Sequence, residues 1–297
     1  MSPPNQQPEI RHQEPVTGRL APTPSGYLHL GNAVNFVLTW LLVRRAGGTL
    51  HLRIDDLDRT RLRRAYLDNI FQTIDWLGID FDHGPSGPDD FLRHYSQLLH
   101  LPDYYRLLRR LRQQPGLVYG SQRTRTSGMG EGPVSLGTPG ASWRVRVPPG
   151  TCIGLADGGQ GQVQVPLAAE MPDFMVRKKD GLPTYQLTSM ADDLRLGTTL
   201  IVRGLDLLPS TAAQLWLAAQ LSETRLFALP RVQFFHHSLL PGPNGQKLSK
   251  STQAAGTTGI LAGGKPHVVY AAVARLLALP VAAGESLAAL QAAVSLR

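Results

Sequence analysis

The chain has little cysteine and no long apolar run. Its one cysteine, Cys152, excludes a disulfide framework and a thiolate metal site. The longest apolar run, residues 34–43, is far shorter than the roughly 20 residues that span a bilayer, so no membrane attachment is expected. Residues 1–15 are polar, rich in proline and glutamine, and lack the apolar segment of a signal peptide. This composition predicts a disordered tail on a cytoplasmic protein.

Acidic residues are fewer than basic ones: 22 Asp and Glu against 30 Lys and Arg give a formal net charge of +8. This balance indicates a polyanionic partner, although a merely basic soluble protein would have it too. With 297 residues and 42% apolar composition, the chain is long enough to form one large domain or two modest ones.

Residues 18–32 contain two prolines and three glycines between an apolar lead-in and an amphipathic run. This pattern predicts a strand, a loop and the start of a helix. The N-terminus of a helix offers unpaired N–H groups and a positive dipole end, which favour phosphate. Gly31 would let a nucleotide approach the backbone, and His29 and Asn32 would lie beside the bound anion.

A second short segment, Lys247-Leu248-Ser249-Lys250-Ser251, follows a Pro-Gly-Pro-Asn-Gly turn near the C-terminus. The sequence places two ammonium groups on one loop. This loop is the expected partner of the phosphate-binding segment, at the end of a predicted strand over residues 232–240.

Helical and strand periodicities alternate in the first part of the chain. A helix is predicted over 33–46, a strand over 50–54 and a helix through 66–77, which indicates a parallel, doubly wound sheet. Asp55, Asp56 and Asp58 follow the strand, at the end of the sheet where ligands bind. These carboxylates are candidates for substrate or magnesium contact, or alternatively a helix cap and solvated acids.

The middle of the chain contains two predicted helical runs within residues 90–114, a flexible loop over 125–142 and a small β-containing insertion. The second helical run carries four arginines that either track a phosphate backbone or form a solvated basic face; the sequence favours neither. They are Arg106, Arg109, Arg110 and Arg112.

The α/β pattern resumes after the insertion. Strands are predicted at 174–177 and 183–186 around an Asp180-Gly181 turn, and at 199–203, with Ser210 as the cap of a helix over 211–221. The predicted divisions are a tail (1–15), a first sheet half (16–100), an insertion (101–171), a second sheet half (172–252) and a helical C-terminal segment (253–297).

The two distant segments together resemble the signatures of class I aminoacyl-tRNA synthetases. His29-Leu30-Gly31-Asn32 is similar to the family's His-Ile-Gly-His element, and residues 247–251 are similar to its Lys-Met-Ser-Lys-Ser loop. Segments between them, beginning at Arg19, Arg53, Asp180 and Ile201, resemble the catalytic core of glutamyl-tRNA synthetases over roughly residues 16–251. The resemblance implies a Rossmann-like doubly wound sheet with an inserted acceptor-type α+β subdomain and a short helical C-terminus.

Only 46 residues follow Ser251, so the large helical anticodon-binding region of that family is expected to be absent. A truncated core of this kind resembles the glutamyl-queuosine tRNA(Asp) synthetases. This resemblance implies a ligase that uses ATP and Mg²⁺ to activate L-glutamate and that acts on tRNA(Asp), and a monomer is expected. Another RNA acceptor, an inactive tRNA-binding relative and a nucleotidyltransferase for a small metabolite are the alternatives.

The resemblance also implies roles for individual residues. His29, Lys247 and Lys250 would be catalytic, and the two lysines would bind ATP together with Gly31 and Asn32. The glutamate site would consist of Arg19, Ala21, Thr23, Asp55, Tyr185 and Arg203. Guanidinium groups suit a substrate with two carboxylates, but structural ion pairs would explain both arginines, and Tyr185 is alternatively a core residue.

Three departures from the family pattern are visible. Asp55 stands where the family usually has glutamate, one methylene longer, at the carboxylate expected to meet the substrate ammonium. Thr23 stands at a position expected to be serine. Tyr119 is followed by Gly120, Ser121 and Gln122 instead of a Cys-x-Cys pair, so no structural zinc is expected.

Overall fold

The computed structural model describes residues 15–122, 132–228, 231–240 and 259–295. The predicted N-terminal tail, apart from Pro15, lies outside these residues, as does part of the loop predicted over 125–142. The predicted lysine loop, with Lys247 and Lys250, also lies outside them.

The described strands form two sheets. They are β1 (Thr17–Leu20), β2 (Thr49–Leu52), β3 (Val118–Ser121), β4 (Ser142–Val145), β5 (Ile153–Asp157), β6 (Gly161–Val165), β7 (Met175–Arg177), β8 (Leu200–Gly204) and β9 (Gln233–His237). The larger sheet has the order β2-β1-β8-β9-β5-β6, and the smaller one has the order β3-β4-β7. All neighbours in the larger sheet are parallel except β5 and β6, and the smaller sheet is antiparallel.

Helices connect and cover these strands. They are α1 (Leu30–Arg45), α2 (Arg64–Trp76), α3 (Pro88–Asp90), α4 (Leu101–Gln113), α5 (Leu167–Glu170), α6 (Tyr185–Arg195), α7 (Leu208–Ala219), α8 (Arg225–Ala228), α9 (His267–Leu276) and α10 (Leu287–Ser295). A π-helical turn, Phe91–Tyr95, and a 3₁₀ turn, Gln97–His100, lie between α3 and α4. In the part of the chain that the structure describes, no helix is both long and apolar enough to cross a membrane.

Strand β8 shows how the two faces of the larger sheet are built. Leu200 and Val202 are buried in one core, with residues of α1, α2, α9 and α10, whereas Ile201 is buried in a second core, with residues of α4, α6 and α7. Successive side chains of a strand point to opposite faces, so a strand with both faces covered is apolar throughout. The predicted α/β class with a mostly parallel, doubly wound sheet is confirmed.

The C-terminal helices pack on the first core. Val269 and Val273 of α9 and Leu290 of α10 are fully buried, and the Tyr270 hydroxyl donates to the Leu77 carbonyl at 3.0 Å. The predicted helical C-terminus is therefore present and joins the sheet through α1.

Two local predictions were wrong. Ser210 does not cap its helix, because α7 begins earlier, at Leu208, with Pro209 in the first turn, where its missing N–H costs nothing. The Asp180-Gly181 turn is present, and Lys178 N–H donates to the Leu182 carbonyl at 2.8 Å. The second strand of that hairpin is absent, because the chain enters α6 at Tyr185 after one bridge between Arg177 and Pro183.

The sheets divide the predicted insertion. Strands β5 and β6 come from it, yet they extend the larger sheet beyond β9. Strand β7 follows the predicted insertion in sequence but pairs with β4 in the smaller sheet. The insertion is thus joined to strands β7 and β9 of the second half through backbone hydrogen bonds, whereas the first half joins the second directly through β1 and β8.

Candidate active site

The connection between β1 and α1, residues 21–29, lies at the carboxyl end of a parallel strand. Ligands bind at this end in open α/β sheets. His29 is the N-cap residue of α1, with an extended backbone, and its N–H donates to Asn32 Oδ1 at 3.0 Å. This hydrogen bond fixes the entry into a 16-residue helix, whose positive end favours an anion.

Gly31 gives the imidazole of His29 room. A Cβ at position 31 would lie 3.1 Å from Cε1 and 3.2 Å from Nδ1 of the His29 ring, closer than ordinary van der Waals contact. A larger residue here would therefore push the ring aside. The approach of a nucleotide to the backbone at Gly31 stays a prediction.

Three arginines converge on one buried carboxylate, that of Asp193 on α6. Arg19 Nε and Arg53 Nη1 donate to Asp193 Oδ1 at 2.9 and 2.6 Å, and Arg203 Nη2 lies 3.7 Å from Oδ2. Arg19 comes from β1, Arg53 follows β2 and Arg203 lies on β8, so the three parallel strands deliver them to one place. We call Arg19, Arg53, Arg203, Asp55 and Asp193 the arginine pocket.

Arg53 also holds Asp55 with two hydrogen bonds. Arg53 Nε donates to Asp55 Oδ1 at 2.8 Å and Nη2 donates to Oδ2 at 3.2 Å, in the bidentate geometry typical of arginine and carboxylate. Asp55 is 8% exposed. The carboxylate expected to meet a substrate ammonium thus has both oxygens on a guanidinium.

Arg203 is fixed by α7 on one side and has spare donor capacity on the other. Its Nη1 donates to Thr211 Oγ1 at 2.9 Å and to Gln214 Oε1 at 2.8 Å. Its Nε is buried and has no hydrogen-bond partner among the described residues. A buried donor without a partner is costly, so a ligand with an acceptor at this atom would be stabilised.

The arginine pocket contains three guanidinium groups and two carboxylates, an excess of one positive charge. All five side chains are at least nine-tenths buried. Asp192, the residue next to Asp193, does not remove this excess, because Arg195 lies 3.2 Å from its carboxylate. A buried excess charge is unfavourable without a partner, and a carboxylate ligand would compensate it.

Burial and charge pairing shift the pKa values in opposite directions. Burial alone would raise the pKa of Asp193, but the three arginines lower it below its ordinary value. Burial lowers the pKa of Arg19, and Asp193 offsets this only in part. Burial opposes a charged Arg53, yet Asp193 and Asp55 raise its pKa. Asp193 therefore stays ionised and supplies the negative charge around which the guanidinium groups are arranged.

A second layer of polar groups surrounds the arginine pocket. Gln97 Nε2 and the Tyr104 hydroxyl donate to Asp192 at 2.9 and 2.8 Å. The Ser96 hydroxyl and the Gln97 N–H donate to Asp56 at 2.7 and 2.8 Å. The turns before α4 thus fix both acids, and Asp56 is a structural residue in this state.

The remaining residues predicted for the glutamate site differ in their exposure. Ala21 is half-buried, Thr23 is exposed, and Tyr185 is 38% exposed at the first turn of α6. Tyr185 is close enough to Arg19 to act on the pKa of that arginine. Tyr185 is therefore not a core residue, and its ring borders the site.

The structure brings together the predicted residues Arg19, Asp55 and Arg203. Whether Lys247 and Lys250 meet His29 stays a prediction, because the lysine loop lies outside the described residues. In the described part of the chain, no group of three or more His, Cys, Asp or Glu side chains is arranged to hold a metal ion.

Sequence reasoning missed Arg53 as a site residue, Asp193 and the buried hydroxyl of Ser189, which accepts from Arg53 Nη2 at 3.1 Å. One signal was available for the acid. Asp192 and Asp193 are adjacent acids between the apolar residues Met190 and Leu194, and adjacent acids that become buried need cationic partners.

The exposed arginines of α4 have mixed surroundings. Arg106 pairs with Asp103 at 3.1 Å, and Arg110 lies 3.7 Å from Glu223. Arg112 lies over the ring of Trp143, at 5.9 Å from its centroid. The choice between a phosphate-binding face and a solvated one stays open.

The fold and the position of the site define a doubly wound α/β protein with a buried cluster of arginines on and after its parallel strands. The chain matches the model of the family described as "tRNA synthetases class I (E and Q), catalytic domain" over residues 15–117 and 137–293. The chain belongs to this family, a group of ATP-using ligases of the aminoacyl-tRNA synthetase type.

Two curated relatives are similar over most of their length. A protein named glutamyl-Q tRNA(Asp) synthetase from Symbiobacterium thermophilum is 36% identical over 296 residues, which cover 89% of this chain and 87% of the relative. One of the same name from Nitratidesulfovibrio vulgaris is 35% identical, with 80% and 79% covered.

Full-length ligases match over about half of their length. Glutamate–tRNA ligase 1 of Rubrobacter xylanophilus is 33% identical, with 82% of this chain and 49% of the relative covered. The crystal structure of a glutamate tRNA ligase from Elizabethkingia meningosepticum in complex with its amino acid has a TM-score of 0.64 and 26% identity, with 80% of this chain and 52% of that chain covered.

Proposed function

We propose that the protein uses ATP to activate L-glutamate as glutamyl-adenylate and transfers the glutamyl group to the queuosine base of tRNA(Asp). The observation that carries the proposal is the excess positive charge of the arginine pocket. A substrate carboxylate would neutralise it, and the unpartnered Nε of Arg203 would gain an acceptor. The two relatives named glutamyl-Q tRNA(Asp) synthetase support the acceptor.

The first step joins the two substrates. An oxygen of the glutamate α-carboxylate attacks the α-phosphorus of ATP, the bond from that phosphorus to the bridging oxygen breaks, and pyrophosphate leaves. An acceptor group of queuosine then attacks the glutamyl carbonyl carbon and releases AMP. Both steps depend on positioning and charge stabilisation more than on a protein nucleophile.

On the phosphate side, His29, Gly31 and Asn32 would hold the triphosphate at the N-terminus of α1. Lys247 and Lys250 would approach it from the opposite side and stabilise the charge of the departing pyrophosphate. Mg²⁺ would accompany the ATP phosphates and would be bound mainly by phosphate oxygens and water.

On the amino-acid side, Arg19 and Arg203 would bind the glutamate carboxylates. Ala21, Thr23 and Tyr185 would complete the site. Asp55 is the candidate for the substrate ammonium, and it would share its oxygens between that group and Arg53. We also propose that the protein is a monomer and that it acts in the cytoplasm, where ATP and tRNA are both present.

Charging of purified tRNA with labelled glutamate tests the proposal. We expect label on tRNA(Asp) that contains queuosine and none on tRNA(Asp) that lacks it. Label on tRNA(Glu) instead would reject the acceptor but keep glutamate activation. Label on none of the three would reject the ligase function for these acceptors.

A tRNA-binding protein without ligase activity is the second candidate. One observation favours it: Arg53 occupies both oxygens of Asp55, the shorter acid at the position expected to receive the substrate ammonium. This candidate predicts tRNA binding without glutamate-dependent exchange between ATP and pyrophosphate. The ligase predicts exchange in the absence of tRNA.

A further inference from the structure

A chain of buried side chains connects the β5–β6 hairpin to the arginine pocket. It runs from Asp157 at the end of β5, through His236 on β9 and Thr211 on α7, to Arg203 on β8. We propose that Asp157 and His236 are positioning residues that, through the Thr211 hydroxyl, hold Arg203 in the orientation needed to bind a substrate carboxylate. The proposal deepens the function proposed above and rests on it.

Each connection in this chain is short. Asp157 Oδ2 lies 2.5 Å from His236 Nδ1, and His236 Nε2 lies 2.9 Å from Thr211 Oγ1. Thr211 Oγ1 accepts from Arg203 Nη1 at 2.9 Å. His236 and Thr211 are fully buried, and Asp157 and Arg203 are 5% and 3% exposed. Water therefore does not compete for these bonds, and their geometry is transmitted along the chain.

The donors and acceptors fix the tautomer of His236. Arg203 has only donors, so Thr211 Oγ1 accepts from it and has one hydroxyl hydrogen to give. That hydrogen goes to His236 Nε2, which is then an acceptor. Nδ1 consequently carries the imidazole hydrogen and donates it to Asp157. The network is fully satisfied only with a neutral imidazole, and burial, with Asp157 offsetting it in part, lowers the pKa of His236.

Asp157 is itself held ionised and oriented. Its Oδ1 accepts from the N–H groups of Gly159, Gln160 and His236 at 2.9, 3.0 and 3.0 Å. Burial alone would raise the pKa of Asp157, but the hydrogen bonds from His236 and the backbone lower it. The carboxylate thus orients the imidazole in the way that a buried aspartate orients a catalytic histidine.

The hairpin tip is fitted closely to β9 at this point. Gln160 Nε2 donates to the His236 carbonyl at 2.7 Å. A Cβ at Gly159 would lie 2.3 Å from the same carbonyl oxygen, which only glycine avoids. These contacts fix the hairpin relative to β9 and thereby fix the position of Asp157.

Arg203 depends on this chain because its contacts with the pocket itself are long. Its Nη2 lies 3.4 Å from Ser189 Oγ and 3.7 Å from Asp193 Oδ2. Its short hydrogen bonds go to Thr211 and Gln214 on α7. A turned Thr211 hydroxyl would thus release one of the two bonds that set the guanidinium plane.

Asp157→Asn tests the chain with little change in shape. Asparagine keeps Oδ1 for the three backbone donors but presents N–H groups to His236 Nδ1, so the imidazole must adopt the other tautomer. His236 Nε2–H then donates to Thr211, whose hydroxyl hydrogen turns toward Arg203. We expect the KM for glutamate in ATP–pyrophosphate exchange to rise about tenfold, the loss of one charged hydrogen bond, with the KM for ATP unchanged.

The hydroxyl itself is tested by Thr211→Val and Thr211→Ser. The valine variant should raise the KM for glutamate as Asp157→Asn does, and the serine variant should restore it. Thr73→Val is the matched control. Thr73 is a helical threonine that is fully buried like Thr211, but it lies on α2 and its hydroxyl donates to the backbone carbonyl of Asn69. It should leave both KM values unchanged. If Asp157→Asn does not fold, the valine and serine pair decides the outcome.

Nitrogen-15 NMR of labelled histidine gives a direct readout. We expect a hydrogen on Nδ1 of His236 in the wild type and on Nε2 in Asp157→Asn. An unchanged glutamate KM in Thr211→Val, or an equal rise in the KM for ATP, would overturn the positioning role while leaving the proposed function intact. A wild-type protein without glutamate-dependent exchange would overturn both, and the tautomer result would show whether the hydrogen-bonded chain still exists.

Discussion

Asp193 is the single residue on which the arginine pocket depends most. Its carboxylate is fully buried and faces three guanidinium groups, two of them at hydrogen-bond distance. Removing one partner from a buried ionic cluster leaves the other charges uncompensated. The loss of folding stability is then larger than the stability that the ion pair itself contributes. Asp193 therefore decides whether three arginines can be buried together.

Asp193→Asn should lower the free energy of unfolding by about 3–5 kcal/mol, because three buried cations would then face one carboxylate instead of two. Urea unfolding at pH 7 measures the change. Asp68→Asn is the control, since Asp68 forms an exposed ion pair with Arg64 and should leave the urea midpoint nearly unchanged. Equal midpoints for the wild type and Asp193→Asn would contradict the central place of this carboxylate.

Buried and half-buried histidines make the free energy of unfolding depend on pH. Burial lowers the pKa of His51, His100, His236 and His237 below the ordinary 6.5, so the folded protein takes up their protons later than the unfolded chain. Their contribution is complete above pH 6.5 and is lost as the pH falls through the lowered values. The free energy of unfolding should therefore decrease from pH 7 to pH 5, by up to about 1.4 kcal/mol per pH unit for each proton.

Comparison with His236→Gln isolates one of these protons. The raised pKa values of Asp55 and Asp56 act in the opposite direction near the acid end, but they are common to both proteins. The variant should show a shallower slope over the same range in urea titrations. Parallel slopes would mean that His236 is protonated as readily in the folded protein as in the unfolded chain.

At the residue scale, the sequence predicted candidate binding residues but not the residues that hold them in place. Arg19 and Arg203 were found through motifs, and the structure brings them together. The partner of Arg19 lies 174 positions away on α6, so nothing local in the sequence pairs the two. Arg53 begins one of the segments that resemble the family. Its role as the link between Asp55 and Asp193 becomes visible only in the fold, where β2 and α6 are adjacent.

At the element scale, the N-terminus of α1 combines backbone and side-chain requirements. In the proposed function the helix would present its first amides to a phosphate, and the structure places the His29 ring next to residue 31, where a side chain would crowd it. Glycine satisfies both because it has no Cβ. The sequence indicated the first requirement and the structure adds the second.

Gly31→Ala should raise the KM for ATP, about tenfold or more, because a Cβ would displace the His29 ring that borders the phosphate site. The KM for glutamate should change less. ATP–pyrophosphate exchange measures both. Gly87→Ala is the control, since a Cβ there would meet no atom within 4 Å. An unchanged KM for ATP in Gly31→Ala would show that the ring position does not matter for ATP binding.

Elements with a strong period were predicted well, and those with competing signals were not. The apolar run that marked β8 and the helical spacing that marked α1 are both present. The strand predicted after Gly181 is absent, because residues 185–195 favour a helix more strongly than residues 183–186 favour a strand. The insertion was predicted to contain β-structure, but nothing in its sequence indicated that residues 153–165 would extend the larger sheet.

At the scale of the whole molecule, the pocket exists because two distant halves of the chain meet in one sheet. Strands β1 and β2 bring Arg19 and Arg53, and β8 and α6 bring Arg203 and Asp193. The β5–β6 hairpin then fastens β9 and, through it, the position of Arg203. The excess charge belongs to this assembly and to no segment alone.

The central claim is that this assembly binds a dicarboxylic amino acid and activates it. The most direct measurement is ATP–pyrophosphate exchange by the wild-type protein, without tRNA, in the presence of L-glutamate, L-glutamine or L-aspartate. We expect exchange with glutamate, at least a hundredfold less with glutamine, which lacks the charge that the arginines require, and little with the shorter aspartate. Equal exchange with glutamate and glutamine, or exchange with neither, would contradict the account.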